Sequence, residues 1–339
     1  MLQGKQTWLF RNKPVLTAEA TIVGPDEGQG PLKDRFDVVH PDLMLDQDSW
    51  EKAEKLMMEQ AAQLVLKRSG LQKEQIQFYI GGDLLNQIIS NSFAVRKLSI
   101  PYIGVFGACS TSMESLALAS MIVDSGGAHH VMAGTCSHNC TAEKQFRYPT
   151  EYGSQKPPTA QYTVTGAGAA IVSATGEGPV ITAATIGKVV DMGIKDPFNM
   201  GAAMAPAAAD TIAMHFKDTQ REPGYYDLIV TGDLASVGYA INLDLLKQKE
   251  VDISQTEYND CGLMIFDMEK QKQLVQAGGS GCACSAVVTY GHLIKLMRAG
   301  ELRRILVVAT GALMSPISFQ QGESIPSIAH AVAIENGVN

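Results

Sequence analysis

Two stretches of the chain read the same way. Residues 107–137 (GACSTSMESLALASMIVDSGGAHHVMAGTCS) and 279–315 (GSGCACSAVVTYGHLIKLMRAGELRRILVVATGALMS) each begin in a cysteine-containing turn of small residues. Each then passes through a helix-length segment and a glycine stop into a strand ending in Ala-Gly-Thr or Ala-Thr-Gly. The first helical segment is apolar nearly all round, so it must be enclosed by other elements. The period is far too long for a solenoid and points to a duplicated α/β unit. This divides the chain into halves 1–175 and 176–339. Chance likeness between two α/β units is the competing account.

The remaining pattern fits such halves. A helix is expected from about Asp48, with Asp48 and Glu51 as a capping box, an apolar stripe through Ala53, Met57, Ala61 and Val65, and Gly70 as its stop. IQFYIGG is a short buried strand that runs out at Asp83, and IPYIGVFG is a second. Residues 141–168 read as a long loop with paired prolines, 207–216 as a helix, and YYDLIVTGDLAS as a strand into a loop. LRRILVVATGALMSP and SIAHAVAIE close the chain as strands.

Composition narrows the function. Hydrophobic residues make up 45% and charged residues 18%, a globular balance. The 27 basic and 35 acidic residues leave a net charge of −8. That balance argues against a general nucleic-acid binder, which needs clustered positive charge. No signal-peptide pattern and no apolar run of spanning length occurs. The six cysteines are therefore expected to be reduced thiols in a cytosol-like compartment.

The sharpest chemical feature is Cys109, in the turn before the first buried helix. A helix N-terminus favours thiolate, and the small neighbours Gly107 and Ser110 would let a ligand approach the backbone. A cysteine buried as a small hydrophobe would look the same. Gly281 and Cys282 repeat the arrangement in the second half, so two helix ends could converge into one anion site. The spacings Cys282-x-Cys284 and Cys136-x-His138-x-Cys140 have a metal-like look but no evident further ligand. Asp83, at a strand end, and His330, before the terminal strand, are candidate partners for Cys109. Neither a dinucleotide fingerprint nor a Walker run is present, and no cofactor is expected.

The duplicated halves with a cysteine opening the first buried helix resemble the thiolase-like fold of condensing enzymes. The runs WLFRNKPVLTAEATIVGPDEGQGPLKDRFD, YIGGDLLNQIISNSFAVRKL, VFGACSTSMESLALA and DLIVTGDLASVG are similar to one branch, the stage V sporulation protein AD family. That resemblance covers essentially the full length. It implies a dipicolinic-acid-binding protein of spore formers, peripheral at the spore inner membrane and acting with the other products of its operon. It also implies uptake of dipicolinate, held in spores largely with calcium, and release on germination. A homodimer is the expectation from the thiolase-like fold.

Cys109 stands where condensing enzymes place their nucleophile. The histidine that decarboxylating members carry after a strand of the second half is missing, since the segment reads Ile229-Val230-Thr231-Gly232-Asp233. The asparagine opening the second buried helix is missing too, in Gly279-Ser280-Gly281-Cys282, and the late loop has no cysteine. The resemblance thus implies a kept scaffold with dismantled chemistry; a Cys109-dependent acyltransferase is the alternative.

Overall fold

The computed structural model describes residues 1–146 and 156–337. Ten strands form its framework. In the first half they are β1 (Val15–Val23), β2 (Phe78–Asp83), β3 (Tyr102–Gly104), β4 (His130–Ser137) and β5 (Gly166–Ser173). In the second they are β6 (Val180–Ile186), β7 (Leu228–Thr231), β8 (Glu257–Asp260), β9 (Arg304–Ala312) and β10 (Ser327–Glu335). The spatial order is β8-β7-β9-β10-β6-β1-β5-β4-β2-β3.

The halves carry one topology. β1 pairs antiparallel with β5, β5 antiparallel with β4, and β4 and β3 run parallel to β2. β6, β10, β9, β7 and β8 repeat those relations in the same order. The halves meet edge to edge where Val15 pairs with Val180.

The helices repeat as well. α1 (Trp50–Ser69) and α2 (Ile89–Leu98) cover the outer face of the first half, burying Met57, Ala61 and Val65 against Ala20, Met132 and Ala169. α3 (Thr111–Asp124) lies inside, and α4 (Asn139–Phe146) follows β4. In the second half α5 (Met200–Thr219) and α6 (Ala235–Gln248) flank the strands, and α7 (Cys282–Val288) lies inside, continuing through a π turn into Ile294–Arg298. The main core forms where α3 and α7 are held between inward residues of both halves, such as Val131 and Val172 on one side and Val307 and Val332 on the other.

Several expectations need correction. The cap of α1 is Ser49, whose hydroxyl accepts from the Lys52 N–H at 3.3 Å, while Asp48 pairs with the Lys52 ammonium at 2.6 Å. The stop at Gly70 is as expected, with φ +70. The supposed loop from 141 lies largely in α4 at its start, and residues 147–155 fall outside the described part. The helix expected over 207–216 extends over the whole of α5, and the loop expected after Asp233 is followed at once by α6. Among the described residues no helix is long and apolar enough to cross a membrane.

Candidate functional site

Gly-Asp-Leu recurs where the second strand of each half runs out, at 82–84, with β2 ending at Asp83, and at 232–234, just past β7. The two aspartates, Asp83 and Asp233, fall at equivalent places in the duplicated topology. Asp233, from the second half, stands at the head of the second buried helix, and its charge bears on Cys109 at the head of the first. Its carboxylate accepts from Thr310 at 2.5 Å, from the Ser280 hydroxyl at 3.1 Å and from the Gly281 N–H at 3.1 Å. Asp83, from the first half, bears electrostatically on Cys282 at the head of the second helix.

The Cys109 turn is tightly built. Ala108 is held at φ +50, a region L residues seldom adopt. The Gly107 N–H donates to Thr111 Oγ1 at 3.0 Å, and the Ser110 hydroxyl donates to the Gly107 carbonyl at 2.6 Å. Gly311 of β9 lies against that carbonyl, where a Cβ would collide with it. Gly107 and Ser110 thus spend their polar groups on the turn itself.

The expected convergence of helix ends into an open anion site is corrected by what fills it. Gly281 donates to Asp233, and Ala283 N–H to the Ser137 hydroxyl at 3.2 Å. The anion at the second helix head is the protein's own carboxylate. The expectation of a Cys109 thiolate is corrected for a related reason. Burial, followed by the charge of Asp233, pushes the thiol well above its ordinary range. Burial also raises Asp233 to about 6, against the pull of its donors.

Cys109 lines a small cavity of about 30 Å³, together with Thr163, Ser280 and Ala312, room for a water or two. Leu84, Phe106, Phe146 and Met314 separate it from a vestibule of about 380 Å³, bordered also by Gln145 and Ser315. No lysine, arginine or histidine is among the described residues lining either space.

The other sequence candidates lie apart from this floor. Asp83 is fully buried and accepts from the Leu85 and Asn91 N–H groups at 2.9 and 2.7 Å, which shapes the loop carrying Leu84. It forms a buried acid pair with Glu54, which burial and the charge of Asp83 raise to about 8. The Cys282 thiol donates to the Cys136 carbonyl at 3.1 Å. His330 sits in β10, accepts from the Gly187 N–H at 3.3 Å, and is lowered to about 4 by burial. In the Cys136-x-His138-x-Cys140 run, His138 lies between the Leu43 carbonyl at 2.9 Å and the Cys140 N–H at 3.1 Å, and Cys136 turns toward Glu54. The described residues contain no group of three metal-ligating side chains. Sequence reasoning missed Asp233 as a site residue, although its Gly-Asp-Leu repeat was the available signal.

Solved structures share this architecture at low identity. A 3-oxoacyl-[acyl-carrier-protein] synthase III from Aquifex aeolicus VF5 matches with TM-score 0.58 and 12% identity, over 95% of this chain and 99% of its own. Human mitochondrial 3-ketoacyl-CoA thiolase in complex with CoA matches with TM-score 0.55 and 13% identity, over 96% and 99%. A single-residue variant of Xanthomonas campestris OleA bound with cerulenin matches with TM-score 0.61 and 16% identity, over 96% and 97%. These establish the thiolase-like fold and leave the chemistry to the site itself. In sequence, a curated relative, stage V sporulation protein AD of Bacillus subtilis (strain 168), is 53% identical over 334 residues, 98% of each chain. The family model described as Stage V sporulation protein AD matches residues 4–335. On a match of that length and identity, the chain belongs to the stage V sporulation protein AD family.

Proposed function

We propose that the protein binds dipicolinic acid (pyridine-2,6-dicarboxylate) in the vestibule above Cys109, as a non-catalytic carrier or receptor on a thiolase-like scaffold. The observation that carries this reading is the lining of that space: no cationic or basic side chain stands among the described lining residues to activate Cys109, whose thiol burial pushes well above its ordinary range. A thiol in that setting is a poor nucleophile. The space suits a flat ring: the vestibule is large enough for a small ligand, the floor takes only one end of it, and Phe106 and Phe146 supply aromatic faces.

Without a counter-charge in the lining, a free dianion is disfavoured there. The ligand is accordingly proposed to enter with its charge cancelled, as the calcium complex, the ion travelling as cargo. In the sporulation setting of the family, this binding would support uptake into the developing spore and release on germination. The other proteins of the same operon would be partners, and attachment at the inner membrane would be peripheral. A homodimer through the free edge of β3, where Ile103 and Phe106 are exposed, belongs to the same proposal.

The test is calorimetric titration of the purified protein with dipicolinate, with and without calcium, and with pyridine-2-carboxylate as control. Saturable binding that requires calcium and discriminates against the monoacid is expected. No heat under any condition would remove the reading. The second reading, a Cys109-dependent acyltransferase, draws on the cysteine at a cavity floor beside a helix start. It requires a thioester on Cys109 after exposure to an acyl-CoA.

A further inference from the structure

We propose that residues 84–88 form a gate between the vestibule and the floor at Cys109, with Leu84 as its bar and Gln145 as the latch that holds it shut. The built wall alone carries this, whatever ligand the vestibule takes.

The segment from Leu84 to Ile88 lines the vestibule without a break. Leu84 also lines the floor cavity beside Cys109, so its side chain stands between the two spaces. The turn that follows it is strained. Gln87 and Ile88 sit side by side at φ +58 and +48, in the left-handed region, and neither is a glycine. For Ile88, branched at Cβ, that region is especially unfavourable. Its side chain is wedged over Gly104 of β3, where a Cβ would collide with it. Such a turn persists only where its surroundings hold it.

Two holds of unequal strength do so. Beneath the turn, the Asp83 carboxylate takes the Leu85 and Asn91 N–H groups at 2.9 and 2.7 Å, and the Asn91 amide donates to the Gly82 carbonyl at 2.7 Å. These bonds are buried and fix the two ends of the segment. Above it, the half-buried Gln145 of α4 grips both peptide groups that flank Leu85. Its Oε1 accepts from the Asn86 N–H at 2.9 Å, and its Nε2 donates to the Leu84 carbonyl at 2.9 Å. Water competes for these outer bonds and not for the buried ones, so Gln145 is the hold that yields first. Once it lets go, the Leu84–Leu85 peptide hangs from Asp83 by one bond, and turning it withdraws Leu84 from the passage. Opening also releases the strain at Gln87 and Ile88, so it costs less than the two hydrogen bonds alone.

The experiment is alkylation of the whole protein by iodoacetamide at one pH, with each cysteine read from its own peptide mass. Cys109 reports the gate, while Cys261 and Cys284, fully buried in the main core, report opening of the protein as a whole. Gln145→Ala is expected to speed modification of Cys109 about tenfold, the order for two lost hydrogen bonds, with Cys261 and Cys284 unchanged. Gln145→Glu, which keeps the acceptor for Asn86 but cannot donate to Leu84, should fall between that variant and the wild type. Gln87→Gly suits the left-handed turn and is expected to slow Cys109 about threefold. The gate is ruled out if Cys109 in folded Gln145→Ala reacts at the wild-type rate, or speeds up only in step with Cys261 and Cys284. Should Gln145→Ala not fold, an unslowed Cys109 in Gln87→Gly rules it out equally. Absence of dipicolinate binding in calorimetry would leave these rates untouched, so the gate and the dipicolinate reading fail separately.

Discussion

The hydroxyls of Ser112 and Ser285 lie 2.6 Å apart, fully inside the protein, although 173 residues separate them. Each is the third residue after its turn cysteine, Cys109 or Cys282. Equivalent positions of a duplicated unit meet in this way only at the pseudo-twofold axis relating the halves. The crossing of α3 and α7 is therefore that axis.

Removing one of these hydroxyls strands the other. Ser112→Ala or Ser285→Ala alone is expected to cost about 1–3 kcal/mol, whereas the double variant is expected to cost less than the sum of the singles. Urea unfolding of the four proteins in the cycle checks this, and strict additivity would contradict the contact.

Gly311→Ala would push a Cβ into the Gly107 carbonyl, with Ser110 and Ala108 close by. The collision is with backbone, so the cysteine turn must move. A destabilisation of about 1–3 kcal/mol is expected, together with loss of ligand heat in calorimetry. A variant with unchanged melting temperature would show the turn to be looser than described.

Stability should fall between pH 6.5 and pH 8. Burial raises Glu27 and Glu54 to about 8, and Glu114 and Asp260 to about 7, from ordinary values of 4.5 and 3.8. These groups keep their protons longer in the folded chain, so their contribution is complete below about pH 4 and is lost as pH rises through the folded values. Buried His215 and His330, lowered to about 3 and 4, act in the opposite sense, but only as pH falls below their ordinary 6.5. The melting temperature should therefore be higher at pH 6.5 than at pH 8, and Glu54→Gln should flatten the slope. A melting temperature that rises over this interval would contradict the buried acids.

Phe106 is 47% exposed at the vestibule rim. Phe106→Ala should thus leave folding nearly intact and weaken dipicolinate binding by about 1 kcal/mol, roughly fivefold. Calorimetry on the variant reads this directly, and unchanged affinity would move the ring away from Phe106.

Much of this was legible in the sequence, because buried helices between glycine stops leave an unmistakable run of apolar residues. The duplication, the strand after each buried helix and the place of Cys109 followed from such runs. What sequence could not supply was which half's side chains reach which helix. Asp83 and Asp233 share the same Gly-Asp-Leu context, yet Asp233 caps the second buried helix through Ser280 and Gly281, while Asp83 holds the Leu85 and Asn91 N–H groups beside α2. Charge on a helix head misled in the same way. The N-terminal dipole favours thiolate, but burial and then the charge of Asp233 push the Cys109 thiol the other way. Smaller misreadings, such as Asp48 for Ser49 as the cap, reflect two adjacent residues that can both serve.

The central claim is that the space above Cys109 binds a flat dicarboxylate and performs no chemistry on it. Diffraction from crystals grown with dipicolinate and calcium tests it most directly. The account predicts an intact pyridine ring in the vestibule between Phe106 and Phe146, with one end toward Ser280 and an unmodified Cys109 sulfur. A ring bound elsewhere, or a covalent adduct on Cys109, would contradict it.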